Sequence, residues 1–121
     1  SVTYPTDPKR ALSSYRKMLT KTPVDQHRLS ALGTWIQQTV AQGIRVVAMT
    51  PPRPPSMAQI ERDIGNWSTA DVRKVIVSAG AQWIDLKWDG LSTYDGSHLD
   101  PASAHRVSDQ LGRALAEILK R

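Results

Sequence analysis

Cysteine is absent from the 121 residues, which removes disulfides, zinc ribbons and thiol catalysis in one step. Its absence leaves the redox compartment open, because a cysteine-free chain tolerates either environment. Phenylalanine is missing too, so the aromatic content rests on four Trp and three Tyr. No apolar stretch approaches the roughly 18 residues of a membrane span, which excludes a spanning helix. The N-terminus lacks a signal-peptide pattern. Nor does a repeat, low-complexity tract or linker divide the chain.

What remains is a composition of 40% apolar and 22% charged residues, which suits one soluble globular unit over 1–121. The net charge of +5 permits polyanion binding. The sixteen basic residues are spread along the chain, however, and no helix-turn-helix, RNP-like or zinc signature accompanies them. Nucleic-acid binding is therefore not expected.

Helix signals punctuate five segments. Asp7-Pro8 reads as an N-cap followed by a first-turn proline. It opens a basic amphipathic segment within 1–21, with Leu12, Tyr15 and Leu19 on one stripe and Lys9, Arg10, Arg16, Lys17 and Lys21 opposite. The remainder, 22–121, reads as a helix-strand-helix-helix-strand-helix core. Thr22-Pro23-Val24-Asp25 resembles a capping box ahead of Leu29, Leu32, Ile36 and Val40, and Gly43 supplies the stop. Ile44 to Met49 then forms a β-branched strand. Ser56 with Gln59 predicts a short helix ending at Gly65, and Ser68 with Asp71 predicts another ending at Gly80. Ala81 to Leu86 is the second expected strand, with a further one near Val2-Thr3-Tyr4. Asp100-Pro101 opens a last helix with Val107, Leu111, Leu115 and Ile118 on one face. The class is α/β with parallel crossovers.

In open α/β sheets ligands bind beyond the carboxyl ends of the strands. The first strand exits into Thr50-Pro51-Pro52-Arg53-Pro54-Pro55, a stiff loop with one cation. The second exits through Asp85, Trp88 and Asp89 to Tyr94-Asp95-Gly96-Ser97-His98. Asp95 and His98, three residues apart around Gly96, form the sharpest pair. A carboxylate there fixes one imidazole tautomer and stabilises the imidazolium, which makes the ring a competent general base. Pro52, Arg53, Trp88 and Tyr94 are the candidate substrate-binding residues. Ser97 is expected to cap the turn, and Asp85, Asp89 and Asp100 to serve turns and caps. His27, His98 and His105 lack metal-ligand spacing, so neither a metal nor another cofactor is expected.

The string Asp95-Gly96-Ser97-His98-Leu99-Asp100-Pro101, after a strand and before the last helix, resembles the C-terminal block of SGNH (GDSL-like) hydrolases and acyltransferases. Gly43 to Pro52, following a helix, is similar to that family's penultimate strand and its proline-bearing exit loop. The resemblance covers about residues 24–120. It implies a three-layer, flavodoxin-like parallel-sheet architecture, of which this chain is the C-terminal half. It also implies a serine acyl-enzyme acting on ester-linked acyl groups, often of carbohydrate or lipid, with His98 as general base and Asp95 as its orienting partner. The family's Gly-Asp-Ser, its oxyanion glycine block and its Gly-x-Asn-Asp block have no counterpart here. The single asparagine, Asn66, lies between two expected helices. The nucleophile is therefore expected from an N-terminal segment or second polypeptide that also completes the sheet, leaving the isolated chain inactive. The alternative is a non-catalytic α/β module that uses the proline loop and Trp88/Tyr94 for a glycan or protein.

Overall fold

Helices α2 (Gln26–Ala41) and α4 (Thr69–Ser78) stop on the same backbone device, and this decides where the strands begin. After α2, Gly43 takes φ 82°, its N–H reaches Val40 C=O, and Ile44 N–H reaches back to Thr39 C=O. After α4, Gly80 takes φ 109°, its N–H reaches Val77 C=O, and Ala81 N–H reaches Ile76 C=O. Such paired bonds satisfy the last carbonyls of a helix, and glycine tolerates the left-handed turn they need. Ile44 and Ala81 thus belong to helix stops and cannot start strands.

The computed structural model describes residues 7–21, 25–65 and 69–121. In chain order these residues form α1 (Pro8–Lys21), α2, β1 (Val47–Met49), α3 (Pro55–Asp63), α4, β2 (Gln82–Ile84) and α5 (Pro101–Leu119). The type and order of these elements match the sequence expectation. The strands are shorter than expected: Val47–Met49 rather than Ile44 to Met49, and Gln82–Ile84 rather than Ala81 to Leu86. The helix stops trim their beginnings, and Pro51 and Pro52 bring no N–H to extend β1. The expected strand at Val2-Thr3-Tyr4, the cap at Thr22-Pro23, and Asn66 and Ser68 lie outside the described residues.

Two caps differ from the expected ones. Asp25 is itself the N-cap of α2, accepting from the N–H groups of His27 and Arg28 at 2.9 and 3.3 Å. Helix α3 begins at Pro55, one residue before Ser56, behind Pro54, which offers no side-chain cap. Gln59 turns forward to Asp63 at 2.8 Å and does not reach back to Ser56.

Strands β1 and β2 pair in parallel with Val47 opposite Gln82 and Met49 opposite Ile84. The fold is therefore mixed α/β and mostly helical, with a two-stranded sheet among the described residues. Ile36, 2% exposed, packs with Ile76, Ala79 and Ala81, where α2 and α4 meet the start of β2. Val40, Val46, Ala48, Val72 and Trp83 surround this cluster half-buried. The C-terminus of α5 is clamped by Arg45, whose guanidinium donates to the carbonyls of Ile118, at 2.6 Å, and Arg121. None of the helices among the described residues is long and apolar enough to cross a membrane. Because Ile36 is the most enclosed large side chain, Ile36→Ala is expected to lower unfolding free energy by about 3 kcal/mol in urea titrations.

Candidate functional site

Between β2 and α5 the chain makes one long excursion, Asp85 to Asp100, whose neck is closed by side chains. Asp100 caps α5 by accepting from Ser103 N–H at 2.8 Å, and its other oxygen takes the Ser92 hydroxyl. Ser92 N–H donates to the buried Ser103 hydroxyl at 2.8 Å, and Asp100 N–H to Ser92 C=O at 3.0 Å. The Ser92 hydroxyl and the Ser103 amide hold the Asp100 carboxyl below its usual range, so the neck is charged and fully bonded at neutral pH. Arg106 adds a 2.6 Å bond to Gly90 C=O.

Inside that neck, Thr93 and Leu99 bridge antiparallel, and Tyr94 N–H donates to His98 C=O at 3.1 Å. The tip is organised by Asp95. One carboxylate oxygen accepts the N–H groups of Ser97 and His98 at 2.9 and 2.7 Å. The other meets His98 Nδ1 at 2.7 Å. Asp95 thus performs both roles open to it from sequence, backbone anchor and imidazole partner. The cap of this turn is Asp95, through its carboxylate, and not the hydroxyl of Ser97 as expected.

The His98 N–H bond, together with the imidazole and the Ser97 N–H, lowers the Asp95 pKa from 3.8 to about 2. An ionised carboxylate only accepts, so the proton between the pair sits on Nδ1. Nε2 of the neutral ring is thereby left as the acceptor, and it has no partner among the described residues. The ring stacks against Tyr94, centroids 5.8 Å apart and planes 13° apart, while its side chain stays 67% exposed. Tyr94 therefore steadies the imidazole, and one of its faces is occupied. That contact was not legible in the sequence.

The exposed imidazole opens onto a pocket of about 850 Å³ walled by α1, Met57 and the Asp95 loop. Helix α1 is held close here: a Cβ on Gly96, at φ 87°, would lie 2.6 Å from Pro8 Cα. Arg10, Ala11, Ser14, Tyr15 and Met18 of α1 face the cavity. Behind that wall lies a buried ion pair that sequence reasoning missed. Glu61, 3% exposed, takes a two-pronged contact from Arg53 and the Tyr15 hydroxyl at 2.5 Å. Arg53 also donates to Thr69 at 2.9 Å. Burial and the Glu61 carboxylate push the Tyr15 phenol well above its usual range, keeping it a donor.

Of the residues expected to meet substrate, Arg53 is engaged by Glu61, and Pro52, Arg53 and Trp88 line a separate cavity of about 210 Å³ at the strand ends. Only Tyr94 touches the Asp95–His98 pair. Asp85 pairs with Arg73 at 3.3 Å, whose guanidinium also lies 6.0 Å from the Trp83 ring centroid. His27 and His105 stand exposed on α2 and α5, apart from the pair. No three metal-ligating side chains cluster among the described residues. No family model, curated protein or solved structure matches this chain.

Two outcomes follow from this geometry. Asp95 has a depressed pKa, so its contribution to the loop is complete above pH 3.8 and is lost as pH falls through about 2. The amide resonances of Ser97 and His98 are expected to titrate with a midpoint near 2, and a midpoint at the ordinary value would contradict the bonds described. Glu61→Ala leaves a mostly buried guanidinium without its carboxylate and is expected to cost about 3 kcal/mol in chemical denaturation, against about 1 kcal/mol for Tyr15→Phe.

Proposed function

We propose that this chain supplies the Asp-His half of an SGNH-type serine esterase or O-acyltransferase, with the serine and oxyanion donors contributed by a segment outside it. The observation that carries the proposal is the 2.7 Å contact between Asp95 and His98 Nδ1, on a ring whose Nε2 has no partner among the described residues and whose residue lines a large pocket. His98 Nε2 takes the proton as the serine oxygen bonds to the ester carbonyl carbon. Asp95 holds the ring in register and stabilises the imidazolium that forms. The same proton then goes to the departing alkoxide as the ester C–O bond breaks. In the second half a water or an acceptor alcohol attacks the acyl-enzyme and gives its proton to His98, which returns it to the serine oxygen as the acyl–serine C–O bond breaks. Base catalysis of this kind contributes on the order of 10²–10⁴-fold.

The finer architecture belongs to the same proposal. A third parallel strand beside β1, from the contributed segment, extends the sheet toward the three-layer, flavodoxin-like arrangement. What supports it is the sheet itself: β1 has one paired neighbour among the described residues, and Met49 at its end is 38% exposed. A two-stranded parallel sheet leaves apolar surface that further strands ordinarily cover.

A fluorophosphonate probe tests the proposal. The isolated chain is expected to remain unlabelled, and a serine of the contributed segment or co-purifying polypeptide to be labelled when the two are together. His98→Ala should slow that labelling roughly 100-fold or more. Labelling that ignores His98→Ala, or no labelling in any assembly, would end the catalytic reading and favour the binding-module alternative.

A further inference from the structure

The pocket beside His98 is a groove with a direction. Its polar end is where Gly96 approaches Pro8, beside Asp95, Ser97 and His98. From there the wall runs along one face of α1 to Met18, with Met57 of α3 alongside. Ten residue steps separate Pro8 from Met18, a span of about 15 Å, the length of a saturated chain of roughly ten to twelve carbons. Asp7 and Arg10, within two residues of Pro8, add charge to the polar end, and the side chains beyond them are Ala11, Ser14, the Tyr15 ring and the two methionines. Tyr15 contributes its ring alone, because its hydroxyl is drawn away to buried Glu61. Met18 is 52% exposed. Unbranched, polarizable methionine side chains adapt to a flexible alkyl chain better than branched ones.

We infer that this groove binds the acyl chain of the substrate, and that the acyl group is a straight, medium-length alkyl chain, not acetyl. The inference rests on the catalytic reading only in calling the ligand an acyl group. The groove's preference for long chains is a property of its walls and is measurable without turnover. Each methylene laid on the groove strengthens binding about fourfold, until the chain outruns Met18.

The chain carries three methionines, which makes the test internal. Met18 and Met57 line the groove, while Met49 lies on β1 outside it. The full chain, labelled with ¹³C at the methionine methyls, is titrated below micelle concentrations with butanoate, hexanoate, octanoate, decanoate and tetradecanoate. Saturable shifts are expected at Met18 and Met57 with Met49 unmoved. Affinity is expected to climb about fourfold per methylene up to about ten carbons and then level off. Met18→Gln should weaken decanoate roughly tenfold and butanoate less than twofold, with the melting temperature reporting that the fold persists. Affinity independent of chain length, or Met49 shifting in step with the other two, would overturn the inference. Chain-length-dependent binding without any labelled serine would keep the groove and end the hydrolytic reading. A labelled serine with no chain-length dependence would do the reverse.

Discussion

One carboxylate with its two oxygens assigned to different tasks underlies the site. Asp95 fixes the turn with one oxygen and the imidazole with the other. The backbone N–H groups keep the acid ionised, and the ionised acid in turn fixes the proton on Nδ1. Turn geometry and ring tautomer are thus one constraint, because two adjacent residues, Ser97 and His98, supply all the donors. Gly96 makes it feasible: its positive φ lets the chain fold back over three residues, and its missing side chain lets α1 close over the tip.

The second organising contact is buried behind the α1 wall of the pocket. Glu61 gathers Arg53 from the proline loop and Tyr15 from α1, and through Arg53 it reaches Thr69 at the start of α4. A charge so enclosed is tolerated only when fully bonded, which ties these elements into one arrangement. Its effect on the pocket is chemical as well as mechanical. With the phenol turned inward, Tyr15 shows the cavity its ring beside Ala11 and Met18, while Arg10 and Ser14 keep part of the α1 wall polar. The polar end stays at His98, and the groove acquires a head and a tail.

The sheet is the part of the molecule that looks least self-sufficient. Among the described residues two three-residue strands carry five helices, and Met49 at the end of β1 is 38% exposed. A nucleophile and oxyanion donors are also missing from the string of motifs. On the proposed reading, one contributed segment would bring a strand and a serine together.

Sequence alone determined the elements and their order, because local signals govern them: Gly43 and Gly80 as stops, Asp7 and Asp100 as caps, and apolar stripes at helical spacing. It also determined the Asp95–His98 contact, since three residues around a glycine leave the carboxylate few other reaches. Strand ends were misjudged because β-branched residues such as Ile44 look alike whether they pair or complete a helix stop, and only hydrogen bonds distinguish the two. Tertiary structure decided everything that depends on distant residues meeting. Arg53 was a candidate for substrate binding, and its contact with Glu61, whose burial no local pattern announces, came only with folding. Tyr94 was a candidate for substrate binding, and only folding put the His98 imidazole on one of its faces. The groove itself exists only because α1, separated by more than seventy residues from the Asp95 loop, packs against it, and spacing along a chain carries no record of such a meeting.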